Sequence, residues 1–366
     1  MKLGLVVNPV AGMGGAVGLK GTDGEKILNE AIARGAVRTS HLRAEAALTA
    51  IRDRRLAIEF VTCDGEMGLT ELEATGLHGR VVYYPANPST RRDTLLAAKA
   101  FLAEGAELIV FAGGDGTARD LLEAVDGTVP LVGIPSGVKM HSAVFALTPE
   151  TAADLIEVFM LSGTSREAEV MDVDEESYRR DVLQARLFGY ARVPDDRTHL
   201  QATKMAYHTG TAEDESDELG QYVAELAEKG IVYILGPGST TRSVAKHLGI
   251  RKTLLGVDAA LDGKLLAEDA SEKDLLEILK GHADARIVVS PIGAQGFIFG
   301  RGNQQISPSV IRQVGTVNIT VISTPTKLKN TPVLRVDTGD KSLDADLKGR
   351  RKVITGYKRK RLVTVE

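Results

Sequence analysis

Phe111-Ala112-Gly113-Gly114-Asp115-Gly116-Thr117 stands where an apolar run, Leu108 to Ala112, stops and a helical pattern, Ala118 to Val125, begins. A strand that hands over to a helix through glycines is the junction of a βα unit. Gly113, Gly114 and Gly116 let backbone N–H groups approach phosphate oxygens without a Cβ in the way, and the start of the helix directs its partial positive charge at the same place. Asp115 among them is no phosphate ligand, because like charges repel. Its carboxylate suits either a base for an attacking hydroxyl or a magnesium ligand, with Thr117 closing the phosphate turn. For an isolated copy, a plain strand-to-helix turn is the competing reading.

Further apolar runs at Leu3–Val7, Ala57–Thr62, Arg80–Tyr84 and Pro130–Ile134 alternate with helix-like stretches at Arg34–Arg55 and Thr94–Ala103. That rhythm predicts an N-terminal, doubly wound parallel sheet over residues 1–150. The first run leads into Asn8-Pro9-Val10-Ala11-Gly12-Met13-Gly14-Gly15. Loops at the carboxyl ends of parallel strands converge on the ligand crevice. Asn8, Gly12, Gly14 and Gly15 are therefore expected to cradle the phosphates of a ligand. Just beyond, Lys20 is a candidate to neutralise a phosphate and Asp23 to hold magnesium, although an ordered surface loop explains both as well. Lys139 follows the strand ending at Ile134 and is a further phosphate candidate, whereas His141 reads as a structural histidine.

Residues 151–332 are expected to form a second, mixed α/β domain. Alternation over Glu169–Asp174 and Val182–Leu187 indicates a β-rich portion, and 231–323 read as Rossmann-like, with strands at Ile231–Leu235, Thr253–Val257, Arg286–Ser290 and Val317–Ser323. Gly236, Gly238, Ser239 and Thr240 join the first of these to a helix. Asp258 closes the next strand at roughly the 20-residue interval of a ribose-binding acid. The fingerprint's third glycine is absent, so a sugar-phosphate or pyrophosphate cradle fits equally. Arg301, Asn303 and Gln304 add a guanidinium fork and amides suited to phosphate and base edges.

The chain has 366 residues, enough for two or three domains, and a formal charge of −4, which argues against a general nucleic-acid binder. Tryptophan is absent, so a stacking platform for single strands is missing too. No run reaches about 18 apolar residues, and no membrane span is expected. A single cysteine, Cys63, rules out an internal disulfide and fits a reducing cytoplasm. Small-molecule nucleotide substrates and a homo-oligomeric state are the expected partners.

Asn8-Pro9-x-x-Gly12-x-x-Gly15 together with Gly113-Gly114-Asp115-Gly116-Thr117 resembles the superfamily of NAD kinases and diacylglycerol/sphingosine lipid kinases. The runs Gly18–Gly24, Gly116–Asp120, Gly133–Ser142 and Gly300–Gln305 look like its ATP-NAD kinase branch that includes the acetoin-catabolism X protein. The resemblance spans nearly the whole chain, and it implies that the last stretch, 333–366, returns to the first domain, as the chain does in related kinases. It implies a magnesium-dependent kinase that transfers phosphate from ATP, or from polyphosphate, to the adenosine-ribose 2′-OH of NAD, yielding NADP. Asp337 and Asp340 resemble the acidic metal-binding turn near the end of lipid kinases, with Thr338 inserted; an ordinary turn fits equally. An Asn-Glu pair that holds NAD in well-studied members is absent after Gly137. A sugar, polyol or lipid-like alcohol therefore stays open as acceptor, and a non-catalytic nucleotide-binding regulator is the reading from another class.

Overall fold

Leu3, Leu5, Val6 and Val7 are fully buried, as a strand without polar interruptions requires when both faces are covered. They lie in β1 (Lys2–Val7) of a parallel sheet with β2 (Glu59–Cys63), β3 (Gly79–Tyr83), β4 (Leu108–Gly113) and β5 (Leu131–Pro135), in the order β3-β2-β1-β4-β5. The structure, a computed structural model, describes residues 1–19, 25–138, 140–173, 185–196, 198–200, 210–292 and 295–366. Lys20, Asp23 and Lys139 lie outside the described residues. The chain divides into two units, Met1–Gly14 with Lys20–Tyr178 and Leu183–Thr203, and Gly15–Leu19 with Arg179–Val182 and Lys204–Glu366.

The helices of the first unit follow the spacing of their apolar residues. α2 (Ser40–Asp53) buries Ala44, Ala47, Leu48 and Ile51, one stripe at helical period. The Ala- and Arg-rich stretch 34–55 is expected to be helical, but α2 begins within it only at Ser40, because α1 (Glu25–Ala33) ends just before it: Gly35 takes φ +83° and Ala36 N–H closes back on Ala31 C=O. α3 (Leu69–Ala74) follows β2, and α4 (Arg91–Ala103) starts in a capping box of Thr90 and Asp93. Gly4 in β1 is small because the Phe101 ring of α4 lies where its Cβ would be, at 2.7 Å. α5 (Asp115–Val125) and α6 (Thr151–Ser162) complete the unit with an antiparallel hairpin, β6 (Ser165–Val173) and β7 (Ala185–Pro194). Ala168, Val170, Ala191 and Val193 of the hairpin share the first core. The β-rich portion expected in the second domain therefore belongs to the first unit, which runs well past residue 150.

In the second unit β8 (Val232–Leu235), β9 (Asp258–Leu261), β10 (Lys264–Ala267), β11 (Ala285–Val289), β12 (Phe297–Phe299), β13 (Ile319–Ile322), β14 (Val333–Val336), β15 (Gly349–Gly356) and β16 (Arg359–Val365) form one mixed sheet. Their order is β10-β9-β8-β11-β13-β15-β16-β14-β12. β8, β11, β13 and β15 run parallel, as a Rossmann-like arrangement requires. The strand expected at 253–257 begins only at Asp258 and runs antiparallel to β8. The tail expected on the first unit pairs here instead: Val321 faces Val353 and Ile322 faces Ile354 in parallel register, so Val353, Val363 and Val365 enter the second core.

One buried acid in the first unit carries a measurable cost. Glu71 on α3 is 1% exposed and its Oε2 has no hydrogen-bond partner among the described residues. Burial, opposed by its own backbone N–H and assisted by Glu45 and Glu66, pushes its carboxyl up to about 7. A raised folded pKa means stability that is present below 4.5 and lost as pH rises through about 7. Glu71→Gln removes that titration. Its Tm should match the parent's near pH 4.5 and exceed it above neutrality, by about 2 °C or more. A Tm difference that stays constant with pH would contradict the burial account.

Candidate active site

Three loops at the carboxyl ends of β1, β4 and β5 hold one another. Asn8 N–H donates to Ala112 C=O at 2.9 Å, which continues the strand pairing by one residue. Its side-chain amide faces both ways: Oδ1 accepts from Val10 N–H at 3.2 Å, and Nδ2 donates to Thr117 Oγ1 at 3.0 Å. The Asn-Pro loop is thereby tied to the Gly-Gly-Asp-Gly-Thr turn. Gly12 has φ +79°, and a Cβ there would sit 2.1 Å from Ser136 C=O of the β5 loop. Ser136 N–H donates in turn to Gly113 C=O at 3.1 Å, and Arg43 Nε donates to Pro135 C=O at 3.0 Å. Gly14 ends the first unit's part of the loop. Gly15 belongs to the second unit, where the Gln304 side chain lies 3.2 Å from the position of its Cβ.

Asp115 is the first residue of α5 and is 9% exposed. His141 N–H donates to its Oδ2 at 2.7 Å and Ser142 N–H to its Oδ1 at 2.9 Å. Both oxygens are thus oriented by backbone that follows β5. Ser142 is itself fixed, since its hydroxyl accepts from Met171 N–H at 2.9 Å. The neighbouring glycines answer to packing: a Cβ on Gly113 would lie 2.6 Å from the Thr117 side chain, and one on Gly114 3.3 Å from Gly137 Cα. Gly116 and Thr117 fall in the first turn of α5, where backbone N–H groups have no intrahelical acceptor. His141 and Ser142 carry no sequence signal for this role, because they act through N–H groups that nearly every residue possesses.

In the second unit the nominated residues part company. Gly236 follows β8, and Ser239 and Thr240 begin the helix Ser239–His247. Thr241 Oγ1 fastens their loop by donating toward Gly236 and Gly238 C=O, at 2.6 and 2.9 Å. Asp258 is wholly buried and paired with Lys252 Nζ at 2.8 Å; it also accepts from Thr253 Oγ1 at 2.8 Å and Asp269 N–H at 3.0 Å. Its carboxylate secures the turn into β9, which leaves a ribose contact without support. Asn303 is buried and spans its own loop, donating to Ile298 C=O at 2.9 Å and accepting from Gly300 N–H at 3.1 Å. Arg301 is buried over the Phe297 ring, 4.3 Å from its centroid, with Asp337 3.4 Å from its Nε. Asp340 caps the helix Lys341–Leu347 and pairs with Arg312 at 2.7 Å. Asp337 and Asp340 are therefore committed to guanidinium partners and a helix start, and the metal turn expected there is not supported. Among the described residues no group of three or more His, Cys, Asp or Glu side chains is arranged for a metal ion.

Two α/β units, the first with glycine loops gathered at the carboxyl edge of a parallel sheet, define the class as a two-domain phosphotransferase. The family model for the ATP-NAD kinase N-terminal domain matches residues 3–163, and that for the C-terminal domain matches residues 228–365. The chain belongs to the ATP-NAD kinase family, and its activity is that of an ATP-dependent kinase. A search of curated proteins found no match. Among the described residues no helix is long and apolar enough to cross a membrane.

The tie between the two loops is open to test. Thr117→Val keeps the shape but leaves the Asn8 amide without its acceptor, at the scale of a lost buried hydrogen bond. Affinity for a nonhydrolysable ATP analogue should fall roughly tenfold, and Thr117→Ser should retain it. Equal affinity in Thr117→Val and the parent would mean that donor binding does not depend on the tie.

Proposed function

We propose that the protein phosphorylates NAD at its adenosine-ribose 2′-OH, using ATP as donor. Family membership supports the donor and the reaction class. The observation that carries the reading is Asp115, a carboxylate held by two backbone N–H groups among glycine loops at the carboxyl edge of the sheet. In this reading the donor's phosphates lie against the loops of Asn8, Gly12 and Gly14 and the first turn of α5, where N–H groups and the helix dipole stabilise charge as it develops. Asp115, with its orientation fixed in advance, receives the hydroxyl proton of the acceptor.

Magnesium fits the same carboxylate, because that ion is commonly bound by one or two carboxylates together with substrate phosphates. When bound it supplies charge neutralisation across the transferred phosphate. Asp115 is the residue that would hold it. Proton acceptance and metal binding both need the ionised carboxylate, and Asn8 and Thr117 keep the loops in place for either.

Two observations keep a second acceptor class in view. Asp258 is consumed by Lys252 and Thr253, and the Asn-Glu pair is absent after Gly137, so a sugar, polyol or lipid-like alcohol remains the runner-up.

Two measurements test the proposal. Labelled ATP, or polyphosphate, is incubated with a panel of hydroxyl acceptors that includes NAD, and label should pass to NAD; transfer to another alcohol with none to NAD would move the assignment to the runner-up. Asp115→Asn keeps the shape while removing basicity and charge, and turnover should drop about 100-fold or more with an unchanged circular dichroism spectrum. Near-normal turnover in the folded variant would remove Asp115 from the chemical step.

A further inference from the structure

Lys327 lies on the short helix Pro325–Asn330, just after β13. Its ammonium meets two hydroxyls, Ser290 Oγ at 3.1 Å and Thr240 Oγ1 at 3.4 Å, and no carboxylate partner among the described residues. Glu215, the acid that reaches the same helix, is taken up by the N–H and hydroxyl of Thr326. A desolvated cation with only neutral partners is costly, and an anion arriving between them offsets that cost. Burial alone pulls the ammonium down, to about 8.

The place of this group in the fold points the same way. Ser290 follows β11 and Thr240 follows β8, and these two strands are parallel neighbours. The helix after β8, Ser239–His247, packs Val244 and Ala245 into one core, whereas the helix after β11, Pro308–Val314, packs Val310 and Ile311 into the core on the other face. The loops leaving β8 and β11 therefore diverge to opposite faces of the sheet, the arrangement that opens a crevice at a topological switch point. Gly238, with φ +119°, lines the β8 loop, and nothing lies within 4 Å of where its Cβ would be. Room, hydroxyl donors, a helix start and an ammonium coincide.

We propose that Lys327, Thr240, Ser290 and the Gly236–Ser239 loop form an oxyanion site of the second unit that takes a phosphate or diphosphate group. The assignment goes beyond the acceptor reading and stands whichever molecule receives phosphate at Asp115. The residues recognise a diphosphate carried by a nucleotide or a free one by the same chemistry.

Isothermal titration of the full chain with inorganic pyrophosphate and, separately, with ADP-ribose tests it. Lys327→Met removes the charge at similar length. Ser290→Asp places a carboxylate beside the ammonium and keeps the site satisfied, so it serves if Lys327→Met does not fold. Both variants should bind at least about tenfold more weakly. A loss with both titrants supports a site for the diphosphate itself, and a loss with ADP-ribose alone supports a nucleotide-borne one. Unchanged affinity for both titrants in a folded variant, or no binding by the parent, overturns the proposal.

Discussion

The parallel pairing of β1 with β4 is the constraint on which the first unit's loop cluster depends. The two strands are neighbours in space with β2 and β3 placed beyond β1, so the chain reverses its direction of winding between them. Loops that leave adjacent strands in diverging directions open a crevice edged by backbone N–H groups. Here Asn8 bridges that crevice to Thr117 and the β5 loop closes on it from the other side, through Ser136 against Gly12 and through His141 and Ser142 against Asp115. The carboxylate is thus oriented by main chain, which is stiffer than any side-chain partner.

Glycine-rich means two different things in this molecule. Gly113, Gly114 and Gly12 are small because Thr117, Gly137 and Ser136 occupy the space a side chain would need. Their first duty is to let three loops approach each other. Gly133 is of the same kind, since the Phe145 ring lies 2.4 Å from where its Cβ would be. Gly238 differs: its backbone angle demands glycine, yet its surroundings are open.

Electrostatics sorts the second unit in a way that motif spacing does not. Asp258, Arg301, Asp337 and Asp340 each face an opposite charge, and Asn303 spends its amide on its own loop. Charges already paired with each other or spent on a helix start hold turns together and have little left for a ligand. Lys327 and Ser290, unmarked by any motif, come together from loops that follow different strands, and only strand order makes them neighbours.

Hydrophobic periodicity alone determined the α/β class, the five parallel strands of the first unit and the glycine loops at their ends, because burial on both faces of a strand demands uninterrupted apolar runs and because N–H groups need glycine to pack closely. It misjudged what long-range contact governs. A glycine with positive φ ended α1 and held the helix expected over 34–55 back to Ser40–Asp53, the β6–β7 hairpin joined the first core, and the chain after Val333 extended the second sheet because Val353, Val363 and Val365 found apolar partners there. The same division runs through the functional residues. Asp115 was legible from its neighbours in the chain, whereas its N–H donors, the burial of Asp258 and the setting of Lys327 were decided by tertiary structure, since a charge's partners are set by distance in space and sequence records only distance along the chain.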